Sequence, residues 1–298
     1  MLNKIQEKLS KIIKYAVAII CFIIGVLALF LTVYFKVKIN NATEACYTKI
    51  DNIFFNLINV SIGVGALYGF YKVSDKINRK ILFILVVVIS MIFGFAWINY
   101  IQYISDDDQL MMVYSADNLL NKQTGLVLNP GEYLNRNPHQ LGYVIYVMAV
   151  YKIFNLRSNM IVLQNLNVLY SAINGILLYF ICKELFNEDK IRKMCLLLIG
   201  LFSVLYWTFF DVHVYGNIPG LMFALVATLF TLKFLKNKKI YNLLIIAITI
   251  TIAYMLKSNY EIFMLGIICV IILDIMKGNT KLKYALGIVR NCCSNVYS

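Results

Sequence analysis

The sequence contains few charged residues: they make up 14% of its 298 residues, whereas hydrophobic residues make up 61%. A soluble domain of this length cannot bury that much apolar surface, because the buried fraction rises only slowly with chain size. The mean hydropathy is +0.74. Runs long enough to cross a hydrocarbon layer of ~30 Å recur along the chain. The composition therefore predicts an all-α polytopic bundle of transmembrane helices.

The sequence also lacks the motifs of several other classes of protein. It has no Walker loop, no glycine-rich nucleotide fingerprint and no His-Glu-x-x-His helix. Its seven cysteines do not have the paired spacing of a zinc site or a disulfide framework. The net charge of +13 comes from 28 Lys and Arg that stand in small groups between apolar runs. This distribution argues against a nucleic-acid partner and instead indicates membrane topology.

About eight apolar runs have the length and composition of transmembrane spans. They are Ile13–Tyr34, Ile53–Tyr71, Ile81–Tyr103, Ile161–Cys182, Met194–Phe210, Ile218–Phe234, Ile240–Leu256 and Glu261–Met276. A further run, Leu141–Phe154, is too short to cross and is expected to be an interfacial or re-entrant helix. With that choice, the five segments on one side hold four Lys or Arg each, 20 of the 28. The positive-inside rule places that side, with the N-terminus, in the cytoplasm of a multi-pass cell-membrane protein.

This topology divides the chain into three regions. Residues 1–80 hold two N-terminal transmembrane helices, and residues 81–276 form a membrane core with an outer loop over 104–160. Residues 277–298 are expected to form a short cytoplasmic tail. The final stretch Asn291–Ser298 does not resemble a designed terminus, so an inactive, truncated membrane fragment is one open interpretation of the chain.

Three adjacent carboxylates, Asp106, Asp107 and Asp108, begin the outer loop directly after a span. Three adjacent carboxylates repel one another, an arrangement that suits a general base that works near neutral pH. The alternative is a solvated acidic cap on a helix N-terminus. Three acids can also bind Mg²⁺ or Mn²⁺ through oxygen ligands, so a divalent cation at this triplet is an open alternative to a site without metal.

The residues after the acids have the pattern of a surface helix that runs to about Lys122 and ends at Gly125. Its apolar face would contain Met112, and its polar face, with Ser115 and Asn118, would point toward a cavity. The length of the loop, far above a typical ~4–6 residues, indicates a function or structure of its own.

Polar residues recur in the rest of this loop and in two other outer loops. Arg136 and His139 stand near the start of the short helix and suit an anion site, although a lone interfacial histidine is more often only a satisfied polar group. A tight turn contains Asp211, His213, Tyr215 and Asn217. Lys257 ends a span on the side where lysine is disfavoured, which indicates either a function or a side chain that snorkels to the interface.

Together these residues resemble the GT-C-fold glycosyltransferases. The resemblance lies in an acidic motif after a span, Tyr133-Leu134-x-x-x-Pro138-His139-Gln140-x-Gly142, Tyr215-Gly216-Asn217-Ile218-Pro219-Gly220 and Leu256-Lys257-Ser258-Asn259. More narrowly, the sequence is similar to the Gram-positive branch related to the dolichyl-phosphate-mannose protein mannosyltransferases. It differs at Asn217, where members of the family often have an acid.

The resemblance implies a hexosyltransferase that moves a sugar from a polyprenyl-phosphate donor to a glycan, lipid or protein acceptor of the cell envelope. Transfer would occur on the non-cytoplasmic face, with inversion and without a cofactor. Asp108 is the implied general base, with Asp107 and Asp106 as alternative registers. The implied donor-phosphate ligands are Lys257, Arg136 and His139, and the implied site-lining residues are Tyr215, Asn217, Asp211 and His213.

Two other classes of protein remain possible interpretations. A transporter or flippase of lipid-linked saccharides would have polar or broken helices near the bilayer midplane, whereas the candidate residues here gather at one rim. A purely structural membrane subunit would leave the long outer loop without an explanation.

Overall fold

The computed structural model describes residues 2–40, 45–104 and 108–276. The predicted tail 277–298 and the acids Asp106 and Asp107 lie outside these described residues. The chain divides into two compact units, Met1–Lys76 and Ile77–Ser298, and each unit is considered by itself.

The first unit consists of two long helices and a hairpin that the sequence analysis does not predict. Its elements are α1 (Leu2–Tyr34), the antiparallel strands β1 (Phe35–Asn40) and β2 (Ala45–Ile50), α2 (Ile53–Val73) and a 3₁₀ turn (Ser74–Lys76). Asn52 caps α2, because its Oδ1 accepts a hydrogen bond from Phe55 N at 3.1 Å. Asn56 Nδ2 donates to Val33 O at 3.1 Å and so connects α2 to the end of α1.

The second unit is entirely helical within the described residues, so the all-α fold class is confirmed. Its helices are α3 (Arg79–Ile101), α4 (Asp108–Leu120), α5 (Gly125–Leu128), α6 (Tyr133–Arg136), α7 (Leu141–Phe154), α8 (Met160–Leu185), α9 (Asp189–Phe202), α10 (Thr208–Phe210), α11 (Asn217–Asn237), α12 (Ile240–Leu256) and α13 (Glu261–Met276). A π-helical segment, Ser203–Trp207, joins α9 to α10, and 3₁₀ turns cover Pro138–Gln140 and Ser258–Tyr260.

Six helical segments of the described chain are long and apolar enough to cross a membrane. They are Ile53–Lys76, Arg79–Ile101, Met160–Leu185, Asp189–Phe210, Asn217–Asn237 and Ser258–Met276. The predicted seventh crossing corresponds to α12, which has only 17 residues. The predicted first crossing lies within α1, where the apolar part is Ala18–Tyr34. The multi-pass architecture is therefore established, whereas the count of eight crossings stays a prediction.

The short apolar run is a helix at the predicted bounds, since α7 extends from Leu141 to Phe154. Its 14 residues extend about 21 Å, well short of the ~30 Å hydrocarbon layer. Tyr143, Val144 and Val147 are buried in a core shared with α4 and the start of α8. The helix is confirmed, and its location at the membrane surface stays a prediction.

The predicted orientation of α4 is wrong. Ser115 and Asn118, expected on an open polar face, are only 2% and 5% exposed. The apolar side chains Leu110 and Tyr114 are exposed instead. The reason is that Met112 and its apolar neighbours bind α4 to α7, which turns the polar residues inward as well. The predicted end is close, because α4 ends at Leu120, two residues before the expected Lys122, whereas Gly125 begins α5.

The second unit has two ends with different composition. We call one end the mouth; it comprises residues 102–104, 108–159, 211–217 and 257–260. We call the other end the ion-paired end; it comprises residues 79–80, 184–193, 236–242 and 274. All candidate site residues within the described chain lie at the mouth, as the predicted topology requires.

The candidate active site at the mouth of the bundle

The loop between α10 and α11 is held from below by polar side chains of α8. Gln164 Nε2 donates to Val212 O at 2.8 Å. One turn further along, Asn167 Nδ2 donates to Asp211 O at 3.1 Å and to His213 O at 2.9 Å. Side chains three or four residues apart share one helix face, so α8 presents a row of donors to this loop. The loop therefore has a defined backbone without regular secondary structure.

Asp211 lies beneath this loop and is only 2% exposed. Its Oδ1 accepts a hydrogen bond from Ser171 Oγ at 2.5 Å. On the other side it meets α3, where a Cβ at Gly94 would lie 3.4 Å from Oδ2. Burial raises the pKa of Asp211 to about 7, although the hydrogen bond from Ser171 acts in the opposite direction. The carboxyl group thus supports the loop from inside the bundle and has little access to the mouth.

The start of α4 is fixed to the same loop by Gln109, which is 5% exposed. Its Oε1 accepts from Val214 N at 2.6 Å, and its Nε2 lies 3.2 Å from His213 Nδ1. Because the amide oxygen faces an N–H group, the amide nitrogen must donate to the imidazole, so Nδ1 is an acceptor. This contact also fixes Asp108, the preceding residue, beside the loop.

Tyr215 is the centre of the site. Its hydroxyl accepts a hydrogen bond from Gln140 Nε2 at 2.7 Å. The Nζ of Lys257 lies over its ring, 3.8 Å from the centroid, in cation–π geometry. Burial lowers the pKa of Lys257, whereas the negative charge of Asp108 acts to raise it. Asp108 and Lys257 therefore interact electrostatically at the mouth.

Two glycines allow the start of α7 and the α10–α11 loop to approach the last turn of α12 closely. A Cβ at Gly142 would lie 1.9 Å from Met255 O, and a Cβ at Gly216 would lie 1.9 Å from Leu256 O. The start of α7 and the α10–α11 loop thus both pack directly on the last turn of α12. Lys257 follows that turn, and a Cβ at Gly216 would lie 3.4 Å from its Cβ.

The other predicted residues are less closely associated with this centre. Arg136 ends α6 and His139 lies in the following 3₁₀ turn; both are exposed. Neither side chain has a hydrogen bond or ion pair with another described residue. Asn217 begins α11 and is exposed, and its main-chain oxygen accepts a hydrogen bond from the hydroxyl of Tyr260.

Several residues that build the site were not predicted. The α8 row had a signal in the sequence, because Gln164, Asn167 and Ser171 recur at helical spacing within an apolar span. Gln109 had no signal in the sequence, since it contacts a segment far away in the chain. Gln140 was part of the Pro-His-Gln element of the family resemblance, but its contact with Tyr215 was not predicted.

Within the described part of the chain, no group of three or more His, Cys, Asp or Glu is arranged to hold a metal ion. Two of the three acids considered for a divalent cation lie outside it. The sequence expectation at the triplet is therefore untested.

The fold and the mouth define the class as an all-α, multi-pass membrane protein with polar groups gathered at one end. The profile of the dolichyl-phosphate-mannose-protein mannosyltransferases matches residues 138–292, more than half of the chain. The chain belongs to this family. It is a mannosyltransferase-like membrane glycosyltransferase of the GT-C kind, which implies a lipid-linked sugar donor and an acceptor at the membrane. No curated protein and no solved structure matches the chain significantly.

The matched region begins at Pro138 and includes Tyr215 and Lys257. Asp108 precedes this region and is not part of the match. The proposed roles of the acids therefore depend on the geometry of the mouth. The narrower similarity to the Gram-positive branch stays a prediction.

Proposed function

We propose that the chain transfers a hexose from a polyprenyl-phosphate donor to an acceptor of the cell envelope, with Asp108 as general base and Lys257 as the principal ligand of the donor phosphate. The acceptor is a glycan, lipid or protein on the non-cytoplasmic side, and the N-terminus is cytoplasmic. This proposal goes beyond the family membership, which supports a lipid-linked sugar donor without naming its carrier.

The observation that carries this proposal is that both groups lie against the same loop of the mouth. Gln109 fixes the start of α4, with Asp108, to this loop, and Lys257 lies over the Tyr215 ring. One is an exposed carboxylate at the first turn of α4, and the other is a half-buried ammonium group above the Tyr215 ring. Transfer from a lipid phosphate needs a base for the acceptor and a cation for the leaving group, and this pair supplies both.

The proposed step conserves atoms and charge. The acceptor oxygen attacks the anomeric carbon and transfers its proton to the Asp108 carboxylate. The bond between the anomeric carbon and the phosphate oxygen breaks, and polyprenyl phosphate leaves with the electron pair. Lys257 stabilises the negative charge that develops on this oxygen. Attack from the side opposite the phosphate inverts the anomeric configuration.

The remaining candidates have supporting roles in this proposal. Arg136 and His139 are exposed at the mouth and can contact the donor phosphate, and Asn217 and His213 line the site. Asp106 or Asp107 would replace Asp108 if the register of the base differs. No metal ion or other cofactor is part of the proposed step.

The test uses the full chain in lipid nanodiscs with a synthetic polyprenyl-phosphate hexose and a membrane extract as acceptor source. Asp108→Asn should lower kcat by about 100-fold or more, the range of a lost general base. Lys257→Met should lower kcat/KM by about 100-fold, because it removes stabilisation of the leaving group. Release of polyprenyl phosphate and labelled product measure both effects.

The matched controls are Glu188→Gln and Lys239→Met, which remove an exposed acid and an exposed cation at the ion-paired end. Both should retain wild-type turnover. Wild-type kcat in Asp108→Asn would exclude Asp108 as the base. Movement of the donor across the bilayer without any sugar transfer would instead support a flippase.

A further inference from the structure

We infer that Gln140 is a positioning residue that orients the Lys257 ammonium group through the ring of Tyr215. The inference rests on the proposed role of Lys257 as a ligand of the donor phosphate. It assigns a function to the glutamine of the Pro-His-Gln element, for which the sequence indicates none.

The first part of the network is the hydrogen bond between Gln140 and Tyr215. Gln140 ends the Pro138–Gln140 turn and is 3% exposed. Its Nε2 donates to the phenol oxygen at 2.7 Å, which holds the far end of the Tyr215 ring. A buried amide that lost this partner would be left with an unsatisfied donor, so the bond should persist.

The second part is the ring itself, which is confined on its face as well as at its hydroxyl. The Tyr143 ring lies nearly parallel to the Tyr215 ring, with centroids 6.4 Å apart and an angle of 17° between the planes. Tyr143 is 1% exposed and belongs to the core shared by α4 and α7. Tyr215 is therefore a platform attached to the rigid part of the mouth.

The third part is the ammonium group, which lies 3.8 Å from the Tyr215 ring centroid. A lysine has a long flexible stem, and its charge can occupy many positions unless a partner restricts it. The electron-rich face of an aromatic ring is such a partner. The Tyr215 ring thus restricts the position of the Lys257 ammonium group, and the hydrogen bond from Gln140 restricts the position of that ring.

The backbone supports this arrangement. Gly142 and Gly216 contact the last turn of α12 so closely that a Cβ at either position would lie 1.9 Å from a main-chain oxygen. The segments that carry Gln140 and Tyr215 are thereby attached to the helix that Lys257 follows. A change at Gln140 can reach Lys257 without a large movement of the backbone.

The experiment measures the affinity of the full chain, in lipid nanodiscs, for a short-chain polyprenyl phosphate. Gln140→Met keeps the volume of the side chain and removes its donor, and Tyr215→Phe keeps the ring and removes its acceptor. Each change is expected to weaken binding about 3- to 10-fold. The double variant should bind as the single variants do, because both remove the same bond.

A second pair of measurements separates positioning from a general structural effect. In a Lys257→Met background, Gln140→Met and Tyr215→Phe should cause no further loss of affinity. With the sugar donor, each single variant should lower kcat/KM, because a displaced Lys257 stabilises the leaving group less well. Gln123→Met and Tyr114→Phe, at exposed positions of the same loop, should leave affinity unchanged.

Undiminished effects in the Lys257→Met background would overturn the inference, as would an unchanged kcat/KM for the sugar donor in both single variants. If Lys257→Met itself leaves the affinity for polyprenyl phosphate unchanged, the proposed role of Lys257 fails. If Lys257→Met weakens binding strongly but Gln140→Met and Tyr215→Phe do not, only the role of Gln140 fails. The two failures are thus distinguishable.

Discussion

Two buried carboxyl groups show how the ends of the second unit differ. Asp211 at the mouth is 2% exposed, and its carboxyl group has the hydroxyl of Ser171 as partner. Asp274 at the ion-paired end is 8% exposed and forms an ion pair with Lys238. Among the described residues, no cation pairs with Asp211. One end satisfies a buried acid with a neutral donor, and the other satisfies it with a charge.

The same contrast extends across each end. At the ion-paired end, Arg79 pairs with Asp189 and Lys236 pairs with Glu184. At the mouth, amides such as Asn167 hold the backbone, and the described ion pair there, Arg157 to Asp117, is long at 3.9 Å. Neutral groups hold the loop between α10 and α11, so Asp108 and Lys257 are not needed to fix its backbone.

The largest expected effect is the contribution of Asp211, the buried acid of the mouth, to the pH dependence of stability. Burial raises the pKa of Asp211 to about 7, whereas an unfolded aspartate titrates near ~3.9. The folded state therefore holds this proton more tightly. The contribution of Asp211 to stability is greatest at acidic pH and falls as the pH rises from about 4 to about 7. The total loss is on the order of 4 kcal/mol, since one pKa unit corresponds to about 1.4 kcal/mol.

Asp211→Asn should remove this part of the pH dependence, because the amide does not titrate. The measurement is the unfolding midpoint in detergent, followed by far-ultraviolet circular dichroism between pH 4 and pH 8 at about one-unit steps. Parallel pH profiles of the wild type and the variant would contradict the assignment of a neutral buried acid.

A smaller loss of stability is expected when an amide that holds the loop between α10 and α11 is replaced. Asn167→Leu removes hydrogen bonds to the main-chain oxygens of Asp211 and His213. Leaving buried polar groups without partners should cost about 1–3 kcal/mol each. Asn165→Leu is the matched control, because Asn165 is half-buried on the same helix and, among the described residues, donates to Ile161 O within that helix. Equal melting midpoints for the two variants would show that the α8 row does not stabilise the loop.

The smallest effect is expected at the ion-paired end. Lys236→Met removes the ion pair with Glu184, in which the lysine side chain is 59% exposed. An exposed ion pair contributes about 0–1 kcal/mol, and the site lies at the other end of the helices. Thermal unfolding should change little, and sugar transfer should be unchanged. A large loss of transfer would remove the functional distinction between the two ends.

Much of the architecture followed from local patterns in the sequence. The all-α class was predicted from composition, and the bounds of α7 were predicted from the apolar run Leu141–Phe154. The prediction that the candidate loops share one end depended on a non-crossing Leu141–Phe154 helix and on the distribution of Lys and Arg among the loops. The orientation of α4 was not predictable in this way, because a helix with apolar residues on more than one side can be turned by its neighbours.

Composition and the lengths of the apolar runs by themselves determined that this chain is a helical membrane protein, because these are local properties that the bilayer selects directly. The tertiary structure alone decided which polar residues meet. It buried Asp211, exposed His139, and brought Gln140, Tyr215 and Lys257 together from three distant segments. Such contacts depend on how helices pack, and here on two glycines that let backbones approach. No local pattern in the sequence specifies that approach.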